Sequence, residues 1–303
     1  MNETVTIEVP EESSGWAKAP PRYSEFRRVV SVFFGRPLPV IGLFIIVVFI
    51  FTAILAPLIA PYDPYKMNIP EKLKAPSGQH LLGTDSLGRD TFSRVIYGTR
   101  TSLVVGICAI GMSAIIGVTL GLIAAFFYGW WYTVIMRLID ALQAFPMLLL
   151  ALLIASLLGG GMKNVIIALG IGMIAPPCRM ACAVAMSIKE NDYVLAARAM
   201  GMSSLRTILG QILPNAFPPL LIIVTIGLGA TILAEAGLSF LGIGITPPTP
   251  AWGSMVNDGY KFLLTSPVLS IGPGAAIMLL VFGFNMMGDG LRDALDPRLR
   301  GVV

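Results

Sequence analysis

Long apolar runs with little or no charge alternate with polar stretches along the chain, and the runs set its architecture. Residues 38–60 carry no charge and are long enough to cross a ~30 Å hydrocarbon core at ~1.5 Å per residue. Further runs lie within residues 101–131, 141–158, 164–188, 217–241 and 262–288. The pattern predicts an all-α membrane protein with six transmembrane helices. Several runs carry helix breakers. Pro146 kinks the third near its start, and Gly159, Gly160 and Gly161 make the turn after it. Pro176, Pro177 and Arg179 bend or break the fourth, and Pro273 kinks the sixth. In the second run Ala109, Ser113, Gly117, Gly121, Ala125 and Gly129 recur every four residues. Such a stripe lets a neighbouring backbone come close in lipid, which predicts a packing face; lining a pore is the other use open to it.

The polar stretches orient these runs. Residues 1–37 form a tail with Glu3, Glu8, Glu11 and Glu12 early and Arg22, Arg27, Arg28 and Arg36 late. The tail has no short apolar core near its start, so a cleavable signal peptide is not expected. A basic cluster directly before the first apolar run keeps the N-terminus inside. Six crossings then return the final tail, residues 291–303, to the same side. Residues 61–100 form a long outer loop. Within it Asp85 and Arg89, and Asp90 and Arg94, stand four apart, the spacing of same-face ion pairs on a solvated helix. On the inner side lies the most polar long segment after the first third of the chain, residues 189–214.

That inner segment reads as helix, glycine break, helix. Asn191 or Asp192 caps a first helix through Met200, Gly201 gives the left-handed geometry that ends it, and Ser203 or Ser204 caps a second. Leu205, Ile208, Leu209 and Ile212 fall at i, i+3, i+4 and i+7, one apolar face. Pro214 separates this second helix from the fifth span, so the first is held out from the bundle by a hinge. Small side chains at Ala196, Ala197 and Ala199 let another protein approach the backbone. Pattern alone leaves two readings open: a docking helix, or an amphipathic helix lying on the membrane.

Composition narrows the class. Of 303 residues 55% are hydrophobic and 13% charged, against ~25% charged in a soluble domain. The formal charge of +4 is explained by basic membrane loops and gives no case for nucleic acid. Cys108, Cys178 and Cys182 fall in apolar runs with no disulfide framework or metal spacing, and the one histidine, His80, lies in the outer loop. No GxxxxGK[ST] phosphate loop occurs, so this chain is not expected to hydrolyse ATP by itself.

The stretch Ala196-Ala197-Arg198-Ala199-Met200-Gly201, followed by Ile212-Leu213-Pro214, resembles the EAA loop of binding-protein-dependent ABC transporter permeases. LGTDSLGRDTFSR (82–94), EAGLSFLGIG (235–244), PPTPAWG (247–253) and MGDGLRDALDPRLR (287–300) resemble the dipeptide, oligopeptide and nickel branch of that family. The likeness runs from about residue 38 to the end of the chain. Leu195 stands where the loop usually has its leading glutamate, and Cys182 where a second arginine often follows Arg179. The resemblance implies the type I ABC importer permease fold, with both termini cytoplasmic, in a bacterial or archaeal inner membrane. It also implies partners. These are a homologous second permease, two cytoplasmic ATPase subunits that bind ATP and Mg, and an extracytoplasmic binding protein that delivers a peptide or similar small solute. No cofactor belongs to this chain. The resemblance places Ala196, Ala197, Arg198, Gly201, Leu205, Leu213 and Pro214 in an ATPase-coupling segment. With Leu195 in place of an acid, contact is expected through small and apolar side chains rather than a salt bridge.

Three further candidates rest on position. An acid inside a span is costly and usually functional, so Glu235 reads as a path or gate residue, or as a buried partner for the outer loop or another subunit. Trp252 and Pro250 are candidate contacts for the binding protein, and Trp252 equally suits an interfacial anchor. Asp140 and Arg179 pair with each other or sit at the inner interface. A self-contained ion-driven secondary transporter is the rival class, because broken helices and intramembrane acids occur there. No convincing repeat relates the two halves of the chain.

Overall fold

The computed structural model describes residues 22–295; the early acids of the first tail, together with Arg298 and Arg300, lie outside the described residues. The described chain is helical. α1 (Arg22–Phe34) occupies the basic half of the tail that the sequence reads as merely polar. α2 (Pro37–Ile54) starts on a proline, whose fixed φ and absent N–H suit a first turn. Its Phe44, Val48 and Phe51 stay exposed, as a lipid-facing span requires. A short α3 (Ala56–Ile59) follows.

α4 (Thr91–Phe127) has 37 residues, about 55 Å at 1.5 Å per residue, so it extends beyond any ~30 Å hydrocarbon layer. Its small-residue stripe is a packing face. Ser113, Gly117, Gly121 and Ala125 are all buried. A Cβ at Gly117 would meet Ile174 O at 2.6 Å, and one at Gly121 would strike Cys178 O. Ser113 Oγ donates to Met173 O at 2.6 Å. The stripe therefore seats α7 (Met162–Gly172) and α8 (Ala175–Lys189) and lines no pore within this chain.

The third run departs from expectation. α5 (Gly129–Gln143) and α6 (Met147–Leu158) meet at 89°, with Pro146 as N-cap of α6. Pro146 breaks this run rather than kinking it. Ile135 and Ile139 on α5 are drawn into a buried cluster with Leu122, Ile174 and Cys178, which packs α5 against α4 and α8. The fourth run is milder. α7 and α8 run on as one apolar stretch, Met162–Lys189, with the interruption at Met173 and Ile174 and Pro176 and Pro177 in the first turn of α8.

α9 (Asp192–Ala199) and α10 (Ser204–Thr207) follow. A five-residue π turn (Ile208–Ile212) then leads directly into α11 (Leu213–Phe240). α12 (Trp252–Tyr260) precedes α13 (Val268–Leu295). α13 continues through Arg292 and Asp293, charges the sequence assigns to a tail. Among the described residues five runs are long and apolar enough to cross a membrane, and α5 with α6 makes a sixth only as a bent pair. α2 and α13 are antiparallel neighbours: Gly42 backs onto Gly283 and Met286, and Arg36 pairs with Asp293.

Candidate functional site

The site is built where α8 ends. Asn191 takes the N-cap position of α9, and its carbonyl accepts from Val194 and Leu195 N–H at 2.9 and 3.1 Å, but its side chain makes no capping bond. The other end of α9 needs a left-handed residue and has one, Gly201 at φ +85°. Met202 N–H donates to Ala197 O at 3.1 Å and Gly201 N–H to Arg198 O at 2.9 Å, the paired bonds of a Schellman ending. Ser203 starts α10, also without a side-chain cap.

Pro214 does not separate the second helix from the fifth span. Ser204–Phe240 is one continuous run, because the π turn comes just before the proline. Leu213 N–H reaches back five residues to Ile208 O. The wider turn makes room at the carbonyl that a proline ring would otherwise strike. The expected apolar face of α10 also divides. Ile208 and Ile212 are buried, whereas Leu205 is 67% and Leu209 53% exposed. The stripe is wider than its contact with the bundle, so one edge packs and the other borders an apolar groove of about 850 Å³ shared with Ile115, Phe127 and Phe217.

Within the predicted coupling segment Ala196, Arg198, Gly201, Leu205 and Pro214 are exposed and Leu213 is half-buried. Ala197 is 4% exposed and lies with Val194 on the side facing the bundle, so its small size serves the seating of α9. The outward surface includes Leu195 and Met200, the latter 82% exposed.

The junction of α8 and α9 is tied to the end of α4. Lys189 Nζ donates to Phe126 O at 3.1 Å and to Ala125 O at 3.4 Å. A cation satisfying the last carbonyls of a helix is favourable in hydrogen bonding and in the helix dipole. The Phe126 ring receives two cations, Lys189 Nζ at 5.9 Å and the Arg198 guanidinium at 5.5 Å. Arg179 on α8 donates to Asp140 on α5 at 2.5 Å, both about half exposed, so the expected pairing forms. Lys189 and Phe126 were not among the sequence candidates. A lysine in a last helical turn is a signal, but its acceptors belong to another span.

The opposite end holds the remaining candidates. LGTDSLGRD is a loop rather than a surface helix, and its charges are internal. Asp85 Oδ2 accepts from Arg89 Nε at 2.7 Å and lies 3.6 Å from Arg94 Nε. The expected Asp90–Arg94 pair is replaced. Asp90 caps α4 through Ser93 N–H at 2.8 Å and meets His80 Nδ1 at 2.8 Å, while Arg94 donates to Pro64 O at 3.0 Å. Arg89, Asp90 and Arg94 are buried. A hydrogen bond from Lys74 holds the nearby Glu71 carboxyl below the ordinary carboxylate range.

Trp252 is fully buried and Pro250 is buried, so neither presents a side chain for a docking protein. The Trp252 ring lies over Gly98, where a Cβ would stand 2.6 Å from it. Its Nε1–H donates to Val95 O at 2.9 Å, and Phe49 packs edge-on at 5.8 Å. It locks α12 to α4 and α2. In the loop before it Thr246, Pro247 and Pro248 are exposed. Glu235 is also fully buried. It accepts from Ser102 on α4 at 3.1 Å and from Ser239 at 2.8 Å, and no cation pairs with it among the described residues.

Residues 117–301 match the family described as binding-protein-dependent transport system inner membrane component, and residues 24–76 match the N-terminal TM domain of oligopeptide transport permease C. The dipeptide transport system permease protein DppC of Alkalihalophilus pseudofirmus is 43% identical over 263 residues, covering 87% of this chain and 86% of its own. The glutathione transport system permease protein GsiD of Escherichia coli is 42% identical, with 84% and 85% covered. A putative peptide transport system permease protein of Brucella suis is 44% identical, with 86% and 88% covered. Among solved structures, a chain of the MetNI methionine ABC transporter in inward facing conformations matches with TM-score 0.55 at 17% identity, over 67% of this chain and 97% of its own. That last likeness is one of fold.

Proposed function

Because this chain belongs to the binding-protein-dependent transport system inner membrane component family, we propose that it forms half of a peptide path and couples that path to ATP hydrolysis through α9. The family makes it an inner-membrane permease subunit of an ATP-driven ABC importer. The ion-driven secondary transporter is thereby set aside, since both the relatives and the fold belong to ABC importers.

Peptide is the substrate class we assign, supported by relatives named for dipeptide, glutathione and peptide transport. The partners we assign are one related permease, two ATPase subunits at the α9 end of the bundle, and a binding protein at the Glu235 end. ATP and Mg are then held by the ATPase subunits, and this chain contributes packing, gating and force transfer.

The observation that carries the coupling role is the anchorage of α9. An exposed eight-residue helix with a defined ending is held to the last turn of α4 by its own Arg198 and, just before it, by Lys189 at the end of α8. Displacement of α9 by a docked subunit is therefore passed to α4, whose other end contacts Glu235 and Trp252. The test is reconstitution of the complete complex in vesicles. ATP-dependent accumulation of a labelled dipeptide delivered by the binding protein is the expected result. Solute transport by this chain alone, without ATPase subunits, would overturn the reading. A co-purified binding protein holding a non-peptide solute would remove the substrate class.

A further inference from the structure

We infer that Glu235 is the centre of a hydrogen-bonded latch that holds α4, α11 and the start of α7 together towards the side opposite α9, and that its burial poises these helices to part. The inference rests on the importer reading and assigns a positioning residue to it.

The latch is continuous. Ser102 Oγ on α4 donates to Glu235 Oε2 at 3.1 Å. Ser239 Oγ, one turn further along α11, donates to Glu235 Oε1 at 2.8 Å. The same Ser239 oxygen accepts from Ile245 N–H at 3.2 Å, folding the following loop back onto the helix. From that loop Gly244 O accepts from Gly161 N–H at 3.1 Å, at the start of α7. The loop is pressed close: a Cβ on Gly244 would collide with Ser239, and one on Gly253 with Ala236 O. Three segments distant in sequence, α4, α11 with the loop that follows it, and the start of α7, meet through one carboxyl group, two hydroxyls and one backbone bond.

Such a chain behaves differently from apolar packing. Apolar surfaces slide with little change in energy, whereas a hydrogen bond weakens steeply with distance and angle. The Ser102–Glu235 bond is therefore made or broken as α4 and α11 meet or part. The carboxyl group also sits in a dry site with two hydroxyl donors and no partner cation among the described residues. Burying a carboxyl group there is costly compared with an apolar side chain of similar size. Water entering between parted helices returns that solvation. The serines thus favour the joined arrangement and the carboxyl group's hydration favours the parted one, which is the balance a gate needs.

Opposite signs test this. A cysteine replacing buried Leu238 reports parting through its rate of reaction with a membrane-impermeant maleimide applied from the Glu235 side. Cys108, Cys178 and Cys182 are first replaced, and the complete complex is used in vesicles. Ser102→Ala is expected to speed labelling about fivefold, the factor for one lost hydrogen bond. Glu235→Leu is expected to slow it, because an apolar side chain favours the dry arrangement. Glu235→Gln, whose amide oxygen accepts from one serine and whose NH2 donates to the other, is expected to stay near the reference. Equal rates in the reference and Ser102→Ala complexes would overturn the latch even if Glu235→Leu fails to assemble. Faster labelling in both Ser102→Ala and Glu235→Leu would reduce Glu235 to a packing element. ATP-driven uptake by the reference complex is measured alongside; its absence refutes the importer reading and leaves the labelling rates to decide the latch.

Discussion

Replacing Lys189 with methionine loosens the link between α4 and the end of α8 that carries α9. Methionine keeps an unbranched apolar stem, so packing changes little, but it loses both bonds to the end of α4 and the attraction to the Phe126 ring. A buried hydrogen bond from a charged donor contributes about 1.5–3 kcal/mol. Lys189 is half-buried and its bond to Ala125 O is long at 3.4 Å, so the pair together is assigned about 2 kcal/mol. The attraction to the helix end is the same charge acting on the same carbonyls and is not added. The ring contact at 5.9 Å adds about 0.5–1 kcal/mol. A loss of about 2.5–3 kcal/mol shifts attachment of this α8–α9 junction to α4 roughly 60- to 150-fold. Arg198 still lies over Phe126, so attachment is weakened rather than abolished. The assay is peptide accumulated per ATP hydrolysed by the reconstituted complex. Uptake per ATP is expected to fall about tenfold, a modest fraction of the shift in attachment, with ATP hydrolysis within a factor of about two. Lys189→Arg restores a donor and a ring partner and should recover most of the ratio. An unchanged ratio in Lys189→Met would refute transmission through this link.

Three further outcomes follow from the geometry. Gly201→Pro removes the N–H that donates to Arg198 O and forbids the positive φ; membrane insertion should persist while ATP-driven uptake is lost, and normal uptake would take the helix ending out of the mechanism. Gly121→Val places a side chain against the Cys178 carbonyl, an overpacking expected to cost about 1–3 kcal/mol and to lower the melting temperature of the purified complex; an unaltered melting curve would show that α4 and α8 separate freely. Trp252→Ala should cost about 3–5 kcal/mol by opening a cavity, whereas Trp252→Phe, losing mainly the bond to Val95 O, should cost about 1 kcal/mol; binding-protein affinity is the control measurement, and a drop in it with unchanged stability would return Trp252 to a docking role.

Much of this was written locally. The four-residue spacing from Ser113 to Ala125 is a property of one helix, and it identified a packing face before any partner was known. Gly201 announced a left-handed helix ending because few other residues take that geometry. What escaped the sequence depends on distant neighbours. A proline at 146 permits a kink or a full break, and the burial of Ile135 and Ile139 beside Leu122 and Ile174 decides for the break. A proline at 214 signals a helix boundary until a π turn relieves it. Trp252 carries the pattern of an exposed docking residue and is buried because Gly98, in another span, leaves it room. Asp90 and Arg94 have helical spacing, yet His80 and Pro64 compete for them and win.

The right angle at Pro146 also bears on the fate of an unassembled copy. α6 has 12 residues, about 18 Å of helix, which falls some 12 Å short of a ~30 Å hydrocarbon layer. A solitary chain meets that deficit by thinning the surrounding lipid, at a fraction of a kcal/mol for each ångström. A neighbouring subunit that covers the short helix removes the deformation. Bilayer thickness therefore acts as a sorting pressure: orphan copies are penalised most in thick membranes, and the shortfall in this one helix rewards assembly before any substrate is present.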